Sequence, residues 1–331
     1  MDQGINQNDI TGTDFPSFAI SAKSLIENDL VEIEWVWEKF IPSRGITIIS
    51  GESDLGKSTL MRQFVLSVVS GETEFLGKKI FAPNRKAIYV STEDDEYSIS
   101  PRIKREVVFF PEETDYRNLV YIFDSEDILG KLGQVFAAGQ YDCVVIDALG
   151  DLFEGDSNSA TVTRNLLNEY KRFADKFSTC IIFIHHLRKS APNSNKTKND
   201  LLGSSAIQAK ARSVLMLSSS INRTSRILQV VKGNYLPSEE KEVKYELTYT
   251  EGIFDQSTTK SGSSISTTEE RITQIVYSLR KEGYTIRNIT QQLQEMGIDI
   301  SKTKVHKLTK NEPVPCPTTL GYMGQDNIGG S

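Results

Sequence analysis

Eight residues constrain this chain more than any others. They are Gly51-Glu52-Ser53-Asp54-Leu55-Gly56-Lys57-Ser58, with the spacing G-x-x-x-x-G-K-S. A strand-forming run, ITIIS (46–50), leads into them. STLMRQFVLSVVSG follows at once, with apolar residues at helical spacing. Strand, glycine-bounded loop and helix in that order form a cradle for a chain of phosphates. Glycines let the loop curl until successive backbone N–H groups point at one anion, and the helix N-terminus adds its partial positive charge. Gly51, Glu52, Ser53, Asp54, Leu55, Gly56, Lys57, Ser58 and Thr59 would then hold the phosphates of ATP. In that arrangement Lys57 reaches the β- and γ-phosphates, and the Ser58 hydroxyl turns to Mg²⁺.

Such a loop needs a sheet behind it. KAIYVS (86–91), LVYIF (119–123), DCVVID (142–147) and TCIIFIHH (179–186) read as strands, alternating with helical patterns at 57–70, 97–108, 126–138 and 161–177. That alternation predicts an α/β fold with a mostly parallel sheet. SVLMLS (213–218), SRILQVVKG (225–233) and KEVKYELTYT (241–250) follow without long helices between them, which predicts an antiparallel extension. In parallel sheets the ligand crevice lies beyond the carboxyl ends of the strands. Two strands here end in acids. VVID ends in Asp147, placed to reach Mg²⁺ directly or through water. IYVSTEDD ends in Glu93, Asp94 and Asp95. Glu93 comes first after the strand and is the candidate to align an attacking water and take its proton. Asp94 would touch the metal or orient Glu93, and Asp95 would be solvated.

Charge and composition narrow the partners. The formal net charge is −6, so any contact with nucleic acid is confined to a loop, a channel or a small domain. No apolar run approaches the ~18 residues of a membrane span. The start, MDQGINQNDITGTDF, lacks the basic and apolar regions of a signal peptide. Cys143, Cys180 and Cys316 have no metal or disulfide spacing, and the first two sit in apolar runs as buried thiols. These features predict a cytoplasmic protein. The domain reading is a flexible segment at 1–29, a nucleotide-binding domain at 30–255, a Ser/Thr/Gly-rich linker at 256–267, a helical unit at 268–312 and a disordered tail at 313–331.

In the helical unit, apolar positions 272, 275, 276 and 279 mark a first helix, and TIRNITQQLQEMG a second, stopped by Gly297. ISKTKVHKLTKN marks a third, with Ser301 as its N-cap. The short GIDIS turn suggests a helix-turn-helix. Val305 and Leu308 face inward, and Lys302, Lys304, Lys307 and Lys310 give a basic surface for the DNA backbone. A helical protein-interaction module is the competing reading.

GESDLGKS, IYVSTEDD, CVVIDALGD and IIFIHH together resemble the RecA-like ATPases, most closely the plasmid RepA-type hexameric helicase ATPases, over residues from about 30 to 250. The lead-in WVWEKFIPSRGITIISG is similar to that family's, in which a short helix and a Pro precede the first strand. The resemblance implies a RecA-like P-loop core, with Glu93 as the catalytic carboxylate and Asp147 as the metal aspartate. It implies a γ-phosphate sensor at His186, with His185 beside it. It also implies a ring, a hexamer, in which a cation of one subunit reaches the nucleotide of the next. Arg212 and Lys232 are the two candidates. Loops 148–160 and 188–202 would line the channel and touch DNA. The second carries Arg188, Lys189, Lys196 and Lys198, whereas Asp151, Glu154 and Asp156 of the first suit DNA poorly. The implied activity is Mg²⁺-dependent ATP hydrolysis acting on DNA, by a ring-forming helicase or remodeller in the replication of a mobile element. An ATP-gated DNA-binding regulator or loader is the alternative, and a signalling ATPase with no DNA role a third. The family does not require the helical unit at 268–312.

Overall fold

A strand covered on both faces must be apolar along its whole length, and several segments of this chain meet that condition. The computed structural model describes residues 19–28, 32–153, 160–187, 209–220, 225–250, 252–256, 268–295, 298 and 300–309. Its strands are β1 (Trp35–Trp37), β2 (Ile41–Pro42), β3 (Gly45–Gly51), β4 (Glu74–Phe75), β5 (Lys78–Lys79), β6 (Ala87–Ser91), β7 (Leu119–Ile122), β8 (Cys143–Asp147), β9 (Cys180–His186), β10 (Ser213–Ser219), β11 (Ser225–Gly233), β12 (Lys244–Thr250) and β13 (Ile253–Gln256). The helices among them are α1 (Ala22–Ile26), α2 (Lys57–Ser70), α3 (Glu96–Glu106), α4 (Ile128–Ala137) and α5 (Ala160–Phe177).

Nine strands make one sheet in the order β13-β12-β11-β10-β3-β9-β8-β6-β7. From β10 to β7 all neighbours run parallel, and β11, β12 and β13 add antiparallel pairs on one side. The expected parallel sheet with its antiparallel extension is the one that forms. Successive residues point to opposite faces, so each central strand feeds two cores. Ile49, Tyr89, Val145 and Ile182 pack with Leu60, Phe64 and Val68 of α2. Ile48, Val90, Ile146 and Phe183 pack with Leu132 of α4 and Leu167 of α5 on the other side. The phosphate-loop helix therefore lies on one face, and α4 and α5 on the other.

Departures from the sequence reading occur where elements are short. WVWEKFIP forms the antiparallel pair β1–β2 ahead of β3, where the resemblance implies a helix. β12 begins at Lys244 rather than 241, because Ser238–Glu242 turns helically after Pro237, with Glu239 and Glu240 favourably placed in its first turn. β13 extends the sheet by one more strand than the sequence suggests, past a turn in which Gly252 adopts φ +81. Among the described residues no helix is long and apolar enough to cross a membrane.

The chain divides into a unit at Met1–Glu34 and a unit at Trp35–Ser331. In the first, the Ser21 side chain caps α1 by accepting from the Ser24 N–H. In the second, helices Thr268–Lys281, Ile286–Glu295 and Lys302–Leu308 share a small core of Ile272, Val276, Ile289, Leu293, Val305 and Leu308. Ser301 caps the last helix by accepting from the Lys304 N–H. Residues 1–18, the linker from 257 to 267, the tail from 313 and the loop bearing Arg188, Lys189, Lys196 and Lys198 lie outside the described residues. So do Glu154, Asp156, Gly297, Lys310 and Cys316.

One buried ion pair ties α2 to α3. Arg62 donates from Nε and Nη2 to the Glu106 carboxylate, with Nη2···Oε1 at 2.8 Å, and Nη2 also reaches the Thr59 hydroxyl. Burial drives the Glu106 carboxyl upward and the guanidinium opposes that rise. Removing one partner of such a pair strands the other charge. Arg62→Met is expected to lower stability by about 3–5 kcal/mol. Adding Glu106→Leu should recover most of the loss, as read by urea unfolding of the two variants.

Candidate active site

Strand register decides which residues meet. Ser91 of β6 lies beside Asp147 of β8, and Gly51 of β3 lies beside His186 of β9. The carboxyl ends of these strands are therefore level at one edge of the sheet. Beyond β6 the chain is pinned to β8: the Thr92 N–H donates to the Asp147 C=O at 2.8 Å, and the Ala148 N–H donates to the Thr92 hydroxyl at 2.9 Å. The next residue is Glu93. Its carboxylate, that of Asp147 and the His186 imidazole each place a ligating atom within 4.8 Å of the others. His186 Nε2 lies 3.5 Å from Glu93 Oε1.

Asp147 is 7% exposed. Its Oδ2 accepts from the Tyr89 hydroxyl at 2.7 Å, and its Oδ1 has no partner among the described residues. Burial and Asp147 together raise the Tyr89 phenol well above its usual range, so it stays a donor. A buried carboxylate oxygen without a partner is costly unless a cation or a donor arrives. The donor set, a carboxylate with the Ser58 hydroxyl nearby on α2, suits a hard divalent ion such as Mg²⁺.

The phosphate loop is shaped by two glycines. Gly51 passes so close to β10 that a Cβ would sit 2.5 Å from the Leu217 carbonyl oxygen. Gly56 caps α2 at φ +89, and a Cβ there would press on Phe254 at 3.0 Å. Lys57 is 3% exposed and donates from Nζ to the carbonyls of Gly51, at 3.0 Å, and Glu52, at 2.7 Å. Burial lowers its ammonium pKa, while Asp147, Glu93 and Asp54 favour the charge. Burial raises the Glu93 carboxyl; His186 opposes that, and Asp147, Asp151 and Asp94 add to it. The cleft has a volume of about 560 Å³ and holds Ser53, Lys57, Ser58, Thr59, Glu93 and His186.

Not every acid of IYVSTEDD faces this cleft in the way the sequence suggests. Asp94 is paired to Arg102 of α3 rather than turned to a metal. Asp95 is the N-cap of α3, accepting from the Ser98 N–H at 2.8 Å. Arg212 and Lys232 are not brought to the cleft at all. Ser213 pairs with Thr47 at the start of β3 and with Gly233 at the end of β11, so both cations sit at the opposite edge. About 20 Å of strand separates them from the phosphate loop. Within one subunit they cannot reach the same phosphate. The sequence reading missed Tyr89 and Thr92, which fix Asp147 and the turn to Glu93. It also missed Arg105, Tyr249 and Ile253, which line the cleft. Tyr89 had a weak signal, two residues before the strand end on the α2 face. Tyr249 and Ile253 had none, since only the folding of β12 and β13 carries them to α2.

Residues 18–192, more than half of the chain, match a family model described as an AAA domain. Among solved structures, the ATPase domain of a helicase shares the fold, with a TM-score of 0.52 and 13% identity over 71% of this chain and 95% of that one. The RadB recombinase overlaps at a TM-score of 0.47 and 17% identity, over 66% of this chain and 92% of that one. No curated protein matches the sequence.

His185, beside the sensor position, offers a test of this packing. Burial holds it down to about 4, with His186 and Lys57 acting in the same direction. The folded state then binds its proton later than the unfolded chain, so stability falls as pH drops from about 6.5 towards 4. Between pH 7.5 and pH 5 the wild type should lose about 2 kcal/mol more than His185→Asn. Urea unfolding at the two pH values measures the difference.

Proposed function

We propose, for a chain that belongs to the AAA domain family and carries a RecA-like P-loop core, Mg²⁺-dependent ATP hydrolysis coupled to work on DNA as a ring. The observation that carries this reading is the meeting of Glu93, Asp147 and His186 within 4.8 Å, beside the buried ammonium of Lys57. Glu93 would orient a water and accept its proton as the oxygen attacks the γ-phosphorus in line. A carboxyl raised by burial is a better base than one left in water. Lys57 would trade its carbonyl partners for phosphate oxygens and neutralise charge as the bond to the leaving ADP lengthens. Mg²⁺ held by Ser58 and Asp147 would supply the rest of that neutralisation. His186, next to Glu93, would bond a γ-phosphate oxygen and register its departure. A cation from a neighbouring subunit, Arg212 or Lys232, would complete the charge around the nucleotide.

Unwinding or remodelling in the replication of a mobile element is the role this reading favours. The three-helix unit at 268–309 supports a second one. Its last helix is held by the buried Val305 and Leu308 and leaves Lys302 and Lys307 exposed, as a DNA-binding regulator or loader would require. A forked duplex separates the two. Strand separation with ATP supports the first, and salt-sensitive binding without separation supports the second.

Glu93→Gln is expected to reduce phosphate release at least about 10²-fold while leaving binding of a fluorescent ATP analogue within a few-fold of wild type. Normal turnover by this variant would remove Glu93 from the mechanism.

A further inference from the structure

We infer that Arg212, rather than Lys232, is the cation this chain presents to a neighbouring subunit's nucleotide, and that Tyr235 is the residue that positions it. The inference rests on the ring reading above and deepens it. The Arg212 backbone is fixed from two sides: its N–H donates to the Ile46 C=O at 2.7 Å, and its C=O accepts from the Asn234 N–H at 3.0 Å. Its side chain crosses Gly45, where a Cβ would meet Cγ at 3.1 Å; Gly45, at φ +96, keeps that path open. The guanidinium then lies over the Tyr235 ring, 5.8 Å from its centroid. Tyr235 in turn meets Trp35 edge-on, with centroids 6.4 Å apart and planes at 85°. The result is an aromatic shelf at the sheet edge, with Tyr235 37% exposed.

The chemistry of that shelf separates the two candidates. A carboxylate partner would orient a guanidinium and also cancel its charge. An aromatic face orients it and leaves the N–H fork for an incoming anion. Among the described residues Arg212 forms no salt bridge. Lys232 Nζ is instead turned inward, donating to the Ala211 C=O at 2.7 Å. Burial and the neighbouring Arg212 both disfavour its charge. Its nearness also repels Arg212 outward, onto the ring. A planar fork on a rigid support matches two phosphate oxygens, and a tethered ammonium does not.

Mixing full-length variants tests both parts. Arg212→Ala keeps its own Glu93 site but has no arginine to offer, and Glu93→Gln is the reverse. Each alone should lose about 10³-fold in turnover, and their mixture should regain a substantial share of it, because one interface in the mixed assembly is complete. A silent mixture overturns the assignment, as does recovery from Lys232→Met with Glu93→Gln in place of the arginine pair. Tyr235→Leu keeps bulk and loses the ring face. It should lower kcat about three- to thirtyfold with KM for ATP and assembly unchanged, while Tyr235→Phe stays within about twofold of wild type. A Leu variant as fast as wild type, or a Phe variant as slow as Leu, overturns the positioning role. Wild-type turnover that is absent, or undiminished in the isolated monomer, overturns the ring reading and this inference together. Turnover that requires assembly but ignores Tyr235 overturns the inference alone.

Discussion

The candidate site depends on one constraint, the register of parallel strands. Ser91 against Asp147 and Gly51 against His186 bring the ends of β6, β8, β3 and β9 to the same level. A one-residue slip would turn Asp147 from the α2 face to the α5 face and exchange every buried side chain of its strand. The two apolar cores forbid that slip, because both faces of each central strand are already filled. Stability of the sheet and placement of the carboxylates are therefore one property. The hydrogen bonds of Thr92 to Asp147 and Ala148 extend the same registration one step beyond the strands, to Glu93.

Around that frame the charges are balanced unequally. Arg62 and Glu106 close on each other below the cleft. Asp94 is matched by Arg102 at its rim. Asp147 is left with one oxygen satisfied and one not, and the Lys57 ammonium rests on two carbonyls rather than on an acid. Groups that are buried and only partly satisfied are costly to keep in a fold, and in this chain they are gathered where a phosphate chain and a cation would complete them.

Much of the arrangement was legible in the sequence, for reasons that can be traced residue by residue. Helix 57–70 was readable to its ends because Gly56 and Gly71 bound it and both adopt left-handed conformations. The strands ending in Asp147 and His186 were legible as unbroken apolar runs, the mark of burial on both faces. The strand pairs β1–β2 and β4–β5 were not, because two or three residues carry no periodicity. Asp94 and Asp95 were misread because their partners, Arg102 and the Ser98 N–H, belong to a helix whose start the sequence places one residue late.

The phosphate loop, the alternation of strand and helix, and the acids that end the strands all follow from the order of residues. These are local matters, fixed by glycine's freedom, by burial along a strand and by helical spacing. Three outcomes had to wait for the folded chain: Tyr89 satisfies Asp147, β12 and β13 bring Tyr249 to the cleft, and Arg212 and Lys232 stand at the far edge of the sheet. They depend on strand order and direction. β10 runs parallel to β3 and β11 antiparallel to β10, so the start of one and the end of the other meet opposite the loop. Strand order is set by how the two faces pack as wholes, and no short stretch of residues encodes it.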